Sequence, residues 1–306
     1  MKLLITGACG HIGSYIIEHV HKIKKIKEVL LIDNFNAHRY HTLFNLSKKI
    51  NFKFYKLDLS KSKLNKLRKV DYVIHCASHT NAQGSFSIKK EMFRNNLACM
   101  KNIINYCKIN KAKLIHISSA SVYGKQVKIV NEDDESLLIP QSPYAEIKLL
   151  EEKMLKKNNK KIKYNSFRFG TIAGVSKGMR FHTAINKFCL NTALNEEIQI
   201  YKTAYYQYRP YLSVKDAFKI FQFCITKNCF QNQVYNALSG NYKVSQIIEM
   251  IKKYKKNIKL KFVKTKIMNQ LSYHVDDTKL KKLGLKLNSK IEKDIKETLS
   301  LFKSLN

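Results

Sequence analysis

Tyr144 and Lys148 are the residues of this chain best suited to move a proton. The segment Pro143–Lys157 reads as a helix, so side chains at these two positions share one face. A free phenol has a pKa of about 10 and is a poor base at neutral pH. An ammonium beside it favours phenolate, and so does a positively charged nicotinamide ring. Lys148 can also hold the nicotinamide ribose. Ser119 lies in Ser118-Ser119-Ala120-Ser121-Val122-Tyr123-Gly124, directly after a strand pattern, and can hydrogen-bond a substrate oxygen. Taken alone, Tyr144 could be a helix-surface aromatic. A glycine loop at the other end of the same half argues for chemistry instead.

That loop is Thr6-Gly7-Ala8-Cys9-Gly10-His11-Ile12-Gly13, between a strand pattern and a helix pattern. Gly7 permits the tight turn, Gly10 lets the backbone approach a pyrophosphate, and Gly13 lets helix and strand pack closely. The helix N-terminus then turns free N–H groups and a positive dipole end toward the phosphates. Asp33, with Asn34 beside it, ends the next strand. A carboxylate there accepts hydrogen bonds from the adenosine ribose and repels a 2′-phosphate, which predicts NAD. Asp58 and Leu59 end the third strand, where a side chain can meet the adenine. An ordinary strand-end turn explains Asp58 as well.

Positioning these groups requires strands alternating with helices. Strand patterns occupy Lys2–Thr6, Val29–Asp33, Phe52–Leu57, Tyr72–Cys76, Leu114–Ser118 and Tyr164–Phe169. Helical patterns lie between them at His11–Ile23, Tyr40–Ser47, Lys61–Leu67, Glu91–Cys107 and Pro143–Lys157. The predicted fold is α/β, a Rossmann-type doubly wound parallel sheet covered by helices on both faces. Residues 1–169 form this dinucleotide-binding part. Residues 170–306 read as a smaller C-terminal α+β substrate domain, partly interleaved with the first. Its expected helices are Phe181–Leu194, Val214–Thr226, Val244–Lys252 and Lys290–Lys303, with strands at Ile198–Tyr201, Val234–Asn236 and Lys259–Phe262.

In order and spacing, these motifs resemble the NAD-dependent epimerase/dehydratase family of extended short-chain dehydrogenases. The resemblance covers essentially the whole chain. It implies that Cys76, Ala77 and Ser78 line the cofactor after the fourth strand and that Asn96 touches it. It implies that Arg209, in Arg209-Pro210-Tyr211-Leu212-Ser213-Val214-Lys215-Asp216, binds the substrate's phosphates. An ion pair with Asp216 would explain the same arginine. Thr171 stands where many sugar-nucleotide epimerases carry an asparagine near the pyrophosphate. Cys99-Met100 replace a common Gly-Thr pair. Arg180 and His182 open the first substrate-domain helix and could contact phosphate or sugar, although His182 reads equally well as a polar helix-start residue.

The resemblance implies a nucleotide-sugar substrate, and the residues around Ser119 narrow the reaction. Dehydratases of the family carry a carboxylate in the stretch that here reads Ser119-Ala120-Ser121. Epimerase/reductases of the fucose type carry a Ser-Cys pair there, and Ala120 replaces that cysteine. Epimerisation at a single carbinol, most simply C4, needs only the Ser–Tyr–Lys set and NAD. A reductase or dehydrogenase of a nucleotide-linked keto-sugar uses the same three residues. A dinucleotide-binding sensor or scaffold that has lost catalysis would ordinarily have lost Tyr144 or Lys148 first. The helices Glu91–Cys107 and Pro143–Lys157 resemble those of a homodimer interface, with Ile103, Ile104, Tyr106, Leu149, Leu150 and Met154 as its apolar face. Burial inside the monomer explains those residues as well.

Composition sets the remaining bounds. The 306 residues carry a net charge of +35, yet only Arg39, Arg68, Arg94, Arg168, Arg180 and Arg209 are arginines. Phosphate and base readers favour the guanidinium fork. Scattered lysines instead read as a solvated surface that attracts anionic substrates, without a dedicated nucleic-acid or membrane site. The 7 cysteines show no zinc spacing and read as free thiols, so no metal is expected. The apolar stretch at the N-terminus is too short for a secretory signal, which predicts a cytoplasmic protein.

Overall fold

The computed structural model describes the chain apart from residues 81–83, 125, 127, 128, 265–272 and 306. In chain order the first strands are β1 (Lys2–Thr6), β2 (Glu28–Asp33), β3 (Asn51–Lys56), β4 (Tyr72–His75), β5 (Lys113–Ser119), β6 (Ile129–Val130) and β7 (Tyr164–Phe169). There follow β8 (Thr171–Ala173), β9 (Ile198–Tyr201), β10 (Tyr208–Ser213), β11 (Gln233–Ala237), β12 (Gly240–Lys243), β13 (Leu260–Val263) and β14 (His274–Val275). The helices are α1 (His11–His19), α2 (Lys89–Asn110), α3 (Pro143–Lys157), α4 (Ala184–Ala193), α5 (Val214–Lys227), α6 (Val244–Lys252), α7 (Thr278–Lys282) and α8 (Ile291–Ser300).

Seven strands form one parallel sheet in the order β11-β7-β5-β4-β1-β2-β3. The strand order runs outward from β1 in both directions, so the crevice between β1 and β4 is the switch point. Alternation along β1 sorts its side chains onto two faces, as the strand period requires. Leu3 and Ile5 meet Ile16 and Ile17 of α1 and Ile220 and Phe221 of α5. Leu4 faces the opposite way, with Met100 and Ile103 of α2 and Leu155 of α3. All ten are inaccessible to solvent, and burial of each such side chain contributes roughly 1.5–3 kcal/mol.

The smaller part gathers β8, β10 and β12 into a three-stranded sheet, with β9 and β13 paired beside it. Its own core joins Ile185 of α4, Ile198 of β9, Ile247 of α6, and Ile291 and Ile295 of α8. Strand β11 lies beyond residue 170 but returns to the large sheet beside β7. Among the described residues, no helix is long and apolar enough to cross a membrane.

Several expected elements differ in the structure. The helix expected at Tyr40–Ser47 is only a short 3₁₀ turn at Tyr40–Leu43, and the chain leaves it through Asn45 in the left-handed region. No helix forms at Lys61–Leu67. The segment holds three lysines and no acid of its own, and the Asp58 carboxylate just before it ties Ser60 into a turn and pairs with Lys61 at 3.5 Å. The expected dimer face on α2 is also corrected. Ile103, Ile104 and Tyr106 are buried in the monomer core against the sheet, whereas Leu150 of α3 is exposed.

Candidate active site

The glycine loop links β1 to α1 as its spacing requires. Gly7 adopts φ +64, and a Cβ there would lie 2.7 Å from the Ala77 nitrogen. At Gly13 a Cβ would lie 2.3 Å from the Gly7 carbonyl oxygen. Gly10 caps α1 with an extended backbone and no side chain in the way. The first N–H groups of α1, from His11 and Ile12 onward, therefore face the crevice without intrahelical acceptors. The His11 side chain turns elsewhere. It is buried, and its Nε2 lies 2.8 Å from the Gly174 carbonyl. Burial, aided by the nearby Arg180 charge, lowers its pKa to about 3.

Asp33 sits at the tip of β2 and accepts hydrogen bonds from the Cys9 and Phe35 N–H groups, each at 2.9 Å. The remaining carboxylate lone pairs suit ribose hydroxyls. Asn34 closes a turn onto Asn36, and Asp58 closes one onto Ser60. The turn explanation for Asp58 is therefore visible in its contacts. Leu59 is buried beneath. After β4, Cys76, Ala77 and Ser78 run past the glycine loop. Asn96 of α2 is fully buried and braces them, donating to Ser78 Oγ and the His79 carbonyl and accepting from the His79 N–H. Asn96 thus shapes the loop beside the cofactor crevice.

Helix α3 begins sharply. Ser142 accepts the Ala145 N–H at its N-cap and Pro143 takes the first turn. Tyr144 follows in that first turn, and Lys148 Nζ lies 5.9 Å from the centre of its ring. Lys148 is buried and donates to Glu151 Oε2 at 2.8 Å. Burial pushes the Lys148 pKa down, but the Glu151 charge outweighs this and holds it above the ordinary lysine range. Ser119 ends β5 at the same edge of the sheet. Its Oγ lies 2.8 Å from Ser121 Oγ and also accepts the Ser121 N–H.

The other wall comes from the second half of the chain. The Gly174–Gly178 loop docks on the glycine loop, with Ser176 Oγ donating to the His11 carbonyl and the Gly178 N–H donating to Ser14 Oγ. A Cβ on Gly178 would lie 2.5 Å from the Cys9 carbonyl oxygen, so only glycine fits without displacement. This docking carries Arg180 to the crevice, where it bonds Thr80 and lies near Tyr144 and Arg39. Its Nε is buried without a partner among the described residues. His182 lies just before α4 with its ring only partly covered, and that partial desolvation together with the Arg180 charge lowers its pKa to about 4. Thr171 opens β8, paired with Tyr211. Arg209 lies on β10 opposite Tyr242. The Asp216 carboxylate instead bonds Lys219, Ser239 and Ser289. Among the described residues, Arg209 has no ion pair, so the ion-pair explanation for it fails.

Sequence reading missed three contributors. Thr80 and Gly178 are recognisable only through contacts across the fold. Glu151 could have been found, because it stands one turn beyond Lys148 in a chain short of acids. Among the described residues, no group of three or more His, Cys, Asp or Glu could hold a metal ion.

A dinucleotide crevice with Tyr144 and Lys148 beside it defines an extended short-chain dehydrogenase/reductase. More narrowly, the chain belongs to the NAD dependent epimerase/dehydratase family, whose model matches residues 3–237. It is 26% identical over 266 residues to a dTDP-D-glucose 4,6-dehydratase of Dictyostelium discoideum, covering 80% of this chain and 60% of that one. It spans 47% of the length of three further curated relatives. Among solved structures, it is similar to UDP-N-acetylglucosamine 4-epimerase from Methanobrevibacter ruminantium, with TM-score 0.87 and 26% identity over 100% of this chain and 99% of that one. It is also similar to UDP-glucuronic acid 4-epimerase from Bacillus cereus, with TM-score 0.88 and 25% identity over 100% of both chains.

Proposed function

We propose that this protein epimerises a nucleotide sugar, most simply at C4, through a transient keto-sugar and a bound NAD. The observation that carries the reading is the placement of Tyr144 and Lys148 in the first turns of α3, with Lys148 near Cys76 of the loop that packs on Gly7 and Tyr144 near Arg180. Both similar solved structures are described as 4-epimerases, and the one from Bacillus cereus is a complex with UDP-glucuronic acid and NAD. Residues 1–169 would supply the dinucleotide side and residues 170–306 most of the sugar-nucleotide side.

The residues fit NAD. Gly7, Gly10 and Gly13 leave no side chain where a diphosphate would approach, and Asp33 retains acceptor capacity for ribose hydroxyls. His11 and Ile12 offer backbone N–H groups, Cys9 holds Asp33 in place through its own N–H, and Cys76, Ala77 and Ser78 line the loop braced by Asn96. NAD supplies reversible hydride transfer at the sugar carbon. Tyr144 takes the proton from the carbinol hydroxyl, and Lys148 steadies the phenolate and holds the ribose. Ser119 hydrogen-bonds the sugar oxygen. Arg209 grips the substrate diphosphate, Thr171 stands near it, and Arg180 and His182 border the phosphate or the sugar. No step requires a further acid, in keeping with Ala120 and Ser121 after Ser119.

A homodimer through the outer faces of α2 and α3 remains part of the proposal, with exposed Leu150 at its centre in place of the buried isoleucines. The free cysteines suit a reducing compartment such as the cytoplasm. The test is to release bound nucleotide from purified protein, then assay UDP-, GDP-, CDP- and dTDP-sugars for epimer formation. Co-purifying NAD and epimer without added cofactor support the reading. Stoichiometric consumption of NAD(P)H with a reduced product would replace it with a keto-sugar reductase.

A further inference from the structure

Behind the reactive face of α3 lies a buried polar chain that the proposed mechanism does not use. Glu151 Oε2 accepts from Lys148 Nζ at 2.8 Å and lies 3.0 Å from His116 Nε2. The other nitrogen of His116 lies 2.8 Å from Ser166 Oγ on β7. Lys148, Glu151, His116 and Ser166 are each no more than 3% exposed. His116 is central in β5 and Ser166 central in β7, so two strands of the sheet clamp the carboxylate in place.

The geometry points to Glu151, held by His116, as a positioning residue that keeps the Lys148 ammonium charged and aimed at Tyr144 and the cofactor. The inference rests on the reading of Lys148 as a cofactor-facing cation. An ammonium at this depth without a carboxylate would shed its proton. Other groups surround it. Tyr144 faces it from its own helix, His75 and Cys76 from β4 and the loop after it, His116 from β5 and Cys99 from α2. Burial holds His75 down to about 3, and pushes the Cys76 and Cys99 thiols up to about 12. These three carry no compensating charge at working pH, whereas burial works against the Glu151 charge and Lys148 overcomes it, leaving that carboxylate well below its ordinary range.

The sign follows directly. Glu151 raises the Lys148 pKa, so function needing the ammonium persists to high pH and is lost above it. Glu151→Gln should move that loss toward neutral pH by about one unit or more. Two readouts are measured on the full-length protein: kcat against pH, and NAD affinity against pH by fluorescence titration. The second needs no sugar, so it stands even where no nucleotide sugar turns over. An acidward displacement of the alkaline limb in both readouts supports the inference. Limbs that coincide with wild type, whatever the amplitude, overturn it and leave Glu151 as packing. Should Glu151→Gln not fold, Glu151→Asp keeps the charge and withdraws it by one methylene. A smaller displacement in the same direction then supports the inference, and coincident limbs overturn it. Wild-type NAD affinity that stays flat across the alkaline range would equally overturn it.

Discussion

Helices α3 and α8, from the two halves of the molecule, treat their buried acids in opposite ways. On the sheet side, consecutive carboxylates on α3 are both firmly paired. Glu151 meets Lys148 and His116, and Glu152 makes a two-pronged bond to Arg168 at 3.0 and 2.7 Å, with Ser118 Oγ adding a third contact at 2.5 Å. On the substrate side, Asp294 of α8 is 1% exposed, but its nearest cation, Lys215, stands 3.5 Å away and sits closer to Glu297. Burial accordingly raises the Asp294 pKa to about 6. Around the proposed Tyr144–Lys148 site the charges are locked. On the substrate side Asp294 is held loosely, and among the described residues Arg209 has no carboxylate partner.

Tyr144→Phe should break the chemistry and leave the scaffold intact. Turnover should fall by about 10²–10⁴-fold while NAD affinity, read by titration, stays close to wild type. Retention of more than about a tenth of the activity would remove Tyr144 from the base role.

Glu152→Gln tests the locked side for stability. The change strands the Arg168 guanidinium among β5, β7 and α3, and a broken buried pair typically costs about 3–5 kcal/mol. Urea unfolding should show that loss. A midpoint unchanged within error would mean the pair is not needed for the fold.

Asp294 tests the loose side through pH. Its carboxyl binds a proton more tightly folded than unfolded, so its contribution is greatest below the ordinary carboxylate pKa. That contribution falls as pH rises toward about 6 and is then constant. The penalty at neutral pH is about 2–3 kcal/mol. Asp294→Asn should therefore raise the melting temperature at pH 7 and flatten this dependence. A variant that melts lower than wild type at pH 7 would show that Lys215 pairs with the carboxylate more strongly than its distance indicates.

Arg209→Lys should have the smallest effect. Losing one charge-assisted hydrogen bond to a diphosphate should raise the substrate KM about tenfold and scarcely alter NAD affinity. Equal weakening of both ligands would make Arg209 structural.

Legibility in the sequence followed the same divide. The glycine loop, Asp33 and the Tyr144–Lys148 pair were readable because each is a local pattern whose spacing expresses one turn or one helix face. The alternating strands gave the sheet for the same reason. The Glu151–His116–Ser166 chain was not readable, since it joins three segments brought together only by strand order. Arg209 was a phosphate candidate in the sequence, and setting aside its ion pair with Asp216 required seeing that carboxylate already bonded to Lys219, Ser239 and Ser289. Ile103, Ile104 and Tyr106 were left open between a dimer face and the monomer core, because an amphipathic helix does not declare whether its apolar stripe meets a sheet or a second subunit; the structure buries them in the core.

The most direct test of the central claim follows the hydrogen on the sugar carbon. Purified protein is incubated with a UDP-hexose carrying deuterium at C4, without added cofactor, and the products are read by NMR and mass spectrometry while absorbance at the reduced-nicotinamide band is recorded. The account predicts the C4 epimer with its deuterium retained and no net accumulation of NADH, because hydride leaves and returns on the same bound NAD. Epimer whose deuterium has washed out to solvent, or keto-sugar formed with stoichiometric NADH, would contradict it.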